Sequence, residues 1–243
     1  MGKDEGKGGG ERNPEVDGLA VCALVSGGMD SSVLVSQLSR DYRKVYPLYI
    51  RTGLLWEETE LYWLKRFLRR IARPNVAPLS VLDLPMGDTC GSHWGFSGEG
   101  IPDGASPDES VYLPGRNILL ISKAAVFCTL NRIGVIAIGI LKGNPFPDSS
   151  PLFLQQFAQV LSMGLGSSVQ VVAPFSTLSK DEVIQRGEGL PLELTFSCIA
   201  PMGRYHCGDC NKCAERKKAF ALLNKRDQTR YASRVGGSSW VKG

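Results

Sequence analysis

The sequence predicts an α/β fold: a parallel sheet with helices on both faces, followed by a small cysteine-rich region near the C-terminus. Three observations carry this. Five short, β-branched, nearly continuous apolar runs alternate with segments of helical pattern, as expected for strands buried on both faces. The first run leads into a glycine–serine turn and then a helix, and sheets of this kind bind ligands beyond the carboxyl ends of their strands. Four of the seven cysteines crowd into residues 198–213.

The strands are LAVCALV (19–25), KVYPLYIRT (44–52), APLSVLDLP (77–85), VIAIGIL (135–141) and SVQVVAPF (168–175). The helices are expected at 30–41, 57–72, 116–132 and 150–163. Residues 86–113 are polar and rich in Gly, Pro, Asp and Ser; so long a connection in a compact domain reads as a lid or binding loop. There is no internal repeat. The boundaries expected are a disordered leader at 1–18, a nucleotide-binding domain at 19–190, a metal-binding region at 191–225 and a flexible tail at 226–243, the two ends judged on glycine and charge content.

Length and composition bound the rest. A chain of 243 residues with 43% hydrophobic content makes one large domain, or a domain with a small appendage, with a real core. A net charge of +4 permits an anionic substrate without arguing for direct nucleic-acid binding. No apolar run is long enough to span a membrane, and the N-terminal residues lack a signal-peptide core. A cytoplasmic setting is therefore expected, where cysteines stay reduced. Cys22 in a strand and Cys128 in a helix read as small core residues, and Cys90 falls in the polar loop.

The stretch VSGGMDSSVL (25–34) carries the first chemistry. Gly27 and Gly28 let the backbone turn sharply and let a ligand approach main-chain N–H groups. The following helix turns its positive end to the same place, so the site suits an anion. Ser26, Ser31 and Ser32 can donate to phosphate oxygens. Asp30 repels phosphate unless Mg²⁺ lies between them; its other reading is a helix cap. The stretch is neither a Walker A loop nor GxGxxG.

The second signal is TFSCIAPMGRYHCGDCNKC (195–213). Cys198, Cys207, Cys210 and Cys213 have spacings that suit tetrahedral Zn²⁺, and a closed four-thiolate site is structural. Gly208 helps the knuckle turn, and Lys212, Arg216, Lys217 and Lys218 are placed to offset its negative charge. His206 is a spare ligand once four thiolates fill the shell. Reduced free cysteines and a redox pair are the alternatives. In LPGRNILLISKAA (113–125), Pro114 and Gly115 turn the chain, Asn117 can cap the helix, and Arg116 is a phosphate or carboxylate clamp or else a surface residue. Lys180 in STLSKDE is a further phosphate candidate or an ordinary helix-start lysine.

SGGMDS matches Ser-Gly-Gly-x-Asp-Ser, the pyrophosphate loop of the N-type ATP pyrophosphatases. With LPGRNILLISKAA and the cysteine cluster, in that order from Leu19 to Leu223, it resembles the 7-cyano-7-deazaguanine synthase family. The resemblance implies a Rossmann-like, adenine nucleotide α-hydrolase-like fold. It also implies ATP, Mg²⁺ and Zn²⁺ as cofactors, with phosphates held by Ser26, Gly27, Gly28, Asp30 and Ser31, and Arg116 as a clamp. The family activates 7-carboxy-7-deazaguanine with ATP and captures it with ammonia. The acyl adenylate becomes an amide, and a second ATP takes the amide to a nitrile. In this role Asp30 and Arg116 are the catalytic candidates, and Ser32, Asn117 and Lys180 complete the ATP-binding set. A homodimer is expected.

One segment departs from the family pattern. Where Ser-Gly-Tyr-Pro-Asp-Cys-Arg is usual, the chain reads LKGNPFPDSSPLF (141–153). Pro147 and Asp148 match, Phe146 keeps an aromatic ring for stacking, Ser150 stands near the usual arginine, and Lys142 stands where acidity is usual. Phe146 and Asp148 are therefore the base-binding candidates, and the acceptor stays open between ammonia and a protein amine. Two other classes compete. A tRNA-modifying relative needs a catalytic cysteine near the loop, for which Cys90 is the one candidate, and an RNA-binding appendage, which nothing here resembles. A non-catalytic zinc and nucleotide module is opposed by Asp30 and Arg116.

Overall fold

Alternation of apolar runs and helices resolves into a five-stranded, wholly parallel sheet in the computed structural model, which describes residues 20–223 and 226–232. The strands are β1 (Ala20–Leu24), β2 (Lys44–Arg51), β3 (Ser80–Asp83), β4 (Val135–Ala137) and β5 (Gln170–Val172). The helices are α1 (Met29–Asp41), α2 (Glu57–Arg70), α3 (Gly87–Cys90), α4 (Trp94–Ser97), α5 (Arg116–Leu130), α6 (Pro151–Leu165), α7 (Lys180–Arg186) and α8 (Asn211–Leu222). The sheet order is β3-β2-β1-β4-β5. The chain runs outward one way through β2 and β3, then returns to the other side of β1, so a crevice opens between the carboxyl ends of β1 and β4.

Successive side chains of a strand point to opposite faces, and β1 divides accordingly. Val21 and Ala23 join the core formed with α1, α7 and α8, whereas Cys22 and Leu24 join that formed with α5 and α6. Cys22 and Cys128 are both fully buried in the second core, as their apolar settings predict. A third cluster lies outside the sheet. It joins Leu54, Trp56, Met86, Leu113 and Phe196 to three of the clustered cysteines, Cys198, Cys210 and Cys213.

Local chemistry explains the helix ends. In α2, Leu61, Leu64 and Phe67 fall on one buried face, with Glu57, Glu58 and Glu60 in the first turn and Arg69 and Arg70 in the last. Ser150 caps α6 by accepting from Phe153 N–H at 3.2 Å, Pro151 opens the helix, and Gly166 closes it in the left-handed region. At α7, Glu182 Oε2 accepts from the Ser179 backbone N–H at 2.7 Å.

The structure adds to the expectations in three places. The 86–113 connection, expected as a lid or binding loop, carries α3, α4 and a 3-10 turn at Asp108–Val111. It is pinned to the start of α8, with Asn211 N–H donating to Pro102 O at 3.0 Å and its side-chain amide to Ser106 O at 2.8 Å. Helix α8 goes unanticipated, because a cysteine knuckle dominates that sequence, and α7 is foreseen only in the alternative reading of Lys180 as a helix-start lysine. Part of the expected tail is packed: His206 N–H donates to Arg230 O, and Ala232 N–H to His206 O. Residues 1–18 and 233–243 lie outside the described residues. No described helix is long and apolar enough to cross a membrane.

Candidate active site

The glycine–serine turn sits at the crevice and is held from several directions. Gly27 has φ +79°, and a Cβ there would lie 3.1 Å from both Glu60 Cγ and the Glu60 carbonyl oxygen, so α2 packs against bare backbone. Phe196 N–H donates to Gly27 O at 2.8 Å, tying the turn to the segment that enters the cysteine region. Ser31 Oγ accepts from Ser26 N–H at 3.2 Å and lies 3.3 Å from Ser26 Oγ. Across the crevice a Cβ on Gly139 would lie 3.3 Å from Ser31 N, so the end of β4 also needs glycine to let α1 approach.

Asp30 is not a helix cap: Gly28 occupies that position and no side chain caps α1. Asp30 Oδ2 accepts from Lys180 Nζ at 2.8 Å, whereas Oδ1 is buried without a partner. An orphaned carboxylate oxygen beside a phosphate-sized turn is the donor a hard cation would use, so the residues fit Mg²⁺. Lys180 also meets Glu215 Oε1 at 3.0 Å, and Glu215 Oε2 meets Lys212 at 2.8 Å. A chain of alternating charges thus runs from the turn to α8. Burial pushes Glu215 up, but Lys180 and Lys212 outweigh it and hold the carboxyl down at about 2. Burial pulls Lys180 down, and Asp30 and Glu215 more than reverse this.

Two cavities of about 230 Å³ each flank the turn and share Ser26, Gly28, Asp30, Arg116 and Phe146. The first lies over the strand ends, against Leu24, Tyr49, Ile50, Ile138 and Ile140. The second is walled by Trp56, His93, Trp94 and Phe196, with Glu60, Lys180 and Lys212 at its edge. Trp56 and Trp94 stack at 5.5 Å. His93 is committed at both nitrogens: Nδ1 accepts from Gly95 N–H at 3.1 Å and Nε2 lies 3.1 Å from Tyr112 O.

Arg116 opens α5, partly buried, and its Nε is buried with no partner. It is not a surface residue. Asn117 does not cap the helix. Gly115 holds that position at φ +73°, and Asn117 instead donates its backbone N–H to Asp148 Oδ2 at 3.0 Å and its amide to Oδ1 at 3.2 Å. Asp148 was expected to accept from a base; both of its oxygens are engaged by Asn117, and it borders the first cavity alone. Phe146 borders both cavities and stacks on Tyr112 at 4.9 Å. Ser32 is fully buried, lines neither cavity and lies on the core side of α1, which removes it from the phosphate set. Ser26, Gly28, Asp30, Ser31, Arg116 and Asn117 do converge on the first cavity, and Lys180 lines the second.

The four cysteines come together as their spacing implies. All four sulfurs lie within 4.8 Å of one another, and Cys198–Cys210 and Cys207–Cys213 are each 3.9 Å apart. A tetrahedral ion with metal–sulfur bonds of about 2.3 Å sets sulfurs about 3.8 Å apart, so the group fits a metal without rearrangement. Backbone N–H groups of Ala200, Cys207, Asp209 and Cys210 donate to Cys198 and Cys207 sulfurs at 3.2–3.4 Å, which favours thiolates. His206 is not a ligand. Burial drives its imidazole down to about 3, and Nε2 accepts from Ser197 N–H at 3.2 Å.

The cations around this cluster have other partners. Arg216 is fully buried and donates to Thr229 Oγ1, Thr195 Oγ1 and Leu192 O at 2.7–2.8 Å, stitching 192–195 to the packed tail. Lys212 pairs with Glu215, and Lys217 Nζ donates to Gly208 O.

Fold and site together define an α/β protein with a glycine–serine turn between two cavities, a carboxylate with one unpartnered oxygen, and a separate cluster of four cysteines that could hold a metal. Comparison narrows the class. A family model described as queuosine biosynthesis protein QueC matches residues 20–224, and the chain belongs to that family. It is 31% identical over 226 residues to the 7-cyano-7-deazaguanine synthase of Methanothermobacter thermautotrophicus, covering 88% of this chain and 99% of that one. It is 35% identical over 208 residues to 7-cyano-7-deazaguanine synthase 1 of Desulfitobacterium hafniense, covering 83% and 91%. Among solved structures, the U34-tRNA thiolase NcsA of Methanococcus maripaludis aligns over 90% of this chain and 76% of its own, at 15% identity and a TM-score of 0.46.

Sequence reasoning missed Tyr49, Trp56, Glu60, Trp94 and Glu215. Glu60 is one of three glutamates in the first turn of α2, where acidic residues ordinarily complement the helix dipole. No local signal separates it from a solvated neighbour.

Proposed function

We propose that the chain is an ATP-dependent carbon–nitrogen ligase that converts 7-carboxy-7-deazaguanine and ammonia to 7-cyano-7-deazaguanine, releasing AMP and pyrophosphate. One observation carries the reading: a turn holding Asp30, with its unpaired oxygen, forms the wall between two cavities that both reach Arg116. Such a wall is where the α-phosphate of one ligand can meet the carboxylate of another. The names of the relatives support the substrate.

In this reading the first cavity takes adenosine against its apolar strand ends, and Ser26, Gly27, Gly28 and Ser31 hold the phosphates. Asp30 would hold Mg²⁺, which supplies charge neutralisation for the departing pyrophosphate. Arg116 clamps the anionic groups meeting at the wall, with Asn117 and Asp148 fixing the helix start that carries it. Lys180 shifts from Asp30 to phosphate when the nucleotide binds. The second cavity takes the flat base beside Trp56, Trp94 and Phe196, with Phe146 bordering both ligands. The four cysteines would hold Zn²⁺ in a structural role.

A second reading rests on the 142–150 segment. With Lys142 and Ser150 in place of the family's usual residues, the same adenylate serves a protein amine instead of ammonia. One experiment tests both. Enzyme, ATP, Mg²⁺ and 7-carboxy-7-deazaguanine are incubated with and without ammonium and followed by mass spectrometry. Nitrile with two AMP per turnover supports the synthase. Adenylate without nitrile favours the other acceptor, and no AMP at all rejects the substrate.

A further inference from the structure

Capture of ammonia presents a proton problem. Near neutral pH the nucleophile arrives as ammonium, whose nitrogen has no lone pair, so the site must remove a proton before attack. The second cavity offers few groups for this. His93 is committed at both nitrogens. Asp30 is paired with Lys180, and Glu215 is held ionised by Lys180 and Lys212, which makes it too weak a base. Lys180 and Lys212 are occupied by carboxylates.

Glu60 remains. The residue lines the second cavity and packs its Cγ and backbone carbonyl against Gly27, although it is only 7% exposed overall. Its Oε2 accepts from Tyr49 O–H at 2.7 Å, and no described cation forms an ion pair with it. The charged and titratable groups facing it are Tyr49 from β2, Glu57 on its own helix and Arg116 from α5. Glu57 is itself saturated by Thr52 N–H, Thr52 Oγ1–H and Gly53 N–H at 2.6–3.0 Å.

We propose that Glu60 is the general base that takes a proton from the incoming ammonium ion; the assignment rests on the amide-forming reading above. The Glu60 carboxylate accepts one proton and frees ammonia. The nitrogen lone pair attacks the carbonyl carbon of the acyl adenylate, the carbon–nitrogen bond forms, and the carbon–oxygen bond to AMP breaks with its electron pair leaving on oxygen. Nitrogen then sheds a second proton to the departing phosphate, and Glu60 returns its own to water. Burial, opposed by the Tyr49 hydrogen bond and the Arg116 charge, leaves the carboxyl raised to about 8, matched to an operating pH near neutrality. The buried acid thus shares one cavity with the aromatic wall and the turn, where the proposed acyl adenylate would lie.

The test separates the half-reactions. Glu60→Gln and Tyr49→Phe are compared with the unaltered enzyme in pyrophosphate exchange with 7-carboxy-7-deazaguanine, and in amide formation from ammonium at about pH 6.5 to 9.5. Glu60→Gln is expected to lower amide formation by about 10²-fold near neutrality. Its loss in pyrophosphate exchange should be far smaller, and its deficit should shrink as rising pH supplies free ammonia. Tyr49→Phe keeps the carboxylate but removes a donor that favours its ionised form, so the pH limb of amide formation should move upward. Equal loss in both half-reactions, or a Glu60→Gln enzyme with an unchanged amide rate and pH profile, would overturn the assignment. Failure of the underlying reading shows differently: the unaltered enzyme itself would form adenylate but no amide.

Discussion

On the proposed reading the glycine turn and the cysteine cluster each receive a cation, yet they are prepared for it in opposite ways. At the turn one carboxylate oxygen is buried without a partner, its twin is held by a lysine, and the residue lines both cavities. At the cluster three of the four cysteines are buried, and backbone N–H groups donate to the sulfurs of two of them. On that reading a hard ion arriving with a nucleotide would come and go at every turnover, with the lysine standing in for it meanwhile. An ion among the thiolates would be bound during folding and stay. The difference teaches that open coordination with a replaceable counter-ion marks chemistry, whereas closed soft coordination marks architecture.

That contrast can be broken or sharpened in four ways. The largest effect is expected from Cys210→Ser, which should empty the cluster and lower the melting temperature by about 10 °C or more, seen by metal analysis and calorimetry. Asp30→Ala should do the reverse. Pyrophosphate release should fall by about 10³-fold while the melting temperature moves by no more than about 2 °C; an active variant would remove the cation-holding role.

Glu215→Gln probes whether the two regions communicate. Helix α8 is capped at Cys210 and sends Glu215 to Lys180, which in turn holds Asp30. Full metal content with about a tenfold loss in kcat/KM for ATP is expected, since a displaced positioning group costs on that order. Unchanged kinetics would make the regions independent.

The smallest effect concerns pH and stability. The folded Glu60 carboxyl lies at about 8, against 4.5 for the free group. A raised carboxyl contributes its stability fully below the lower value and loses it as pH climbs through the higher one. Glu60→Gln should therefore match the unaltered protein at pH 4 and melt a few degrees above it at pH 9. The opposite order would place an unseen cation beside Glu60.

The sheet was legible because buried parallel strands write themselves as contiguous apolar runs, and all five strand positions follow from them. The turn and the cysteines were legible for the same reason, since each is contained within a few residues. What stayed hidden depends on distant partners. Asn117 reads as a helix cap until Asp148, 31 residues away, is seen to accept from it. Ser32 reads like Ser31 until the helical turn carries it into the core. Glu60 and Glu215 look like surface charge in sequence, and only packing gives one an aromatic wall and the other two lysines.

The ion pair between Lys180 and Asp30 joins residues 150 positions apart, and this carries a consequence for synthesis. The turn emerges from the ribosome early, but its counter-ion, and then Phe196 and α8, arrive only after most of the chain has been made. A nascent or truncated chain that stops short of Lys180 still carries the glycines and serines, but its Asp30 has no cation to hold it and Gly27 no partner from Phe196. On the proposed reading, a chain shorter than this would lack both ties that hold the turn, so its ability to use ATP would depend on segments made late in synthesis.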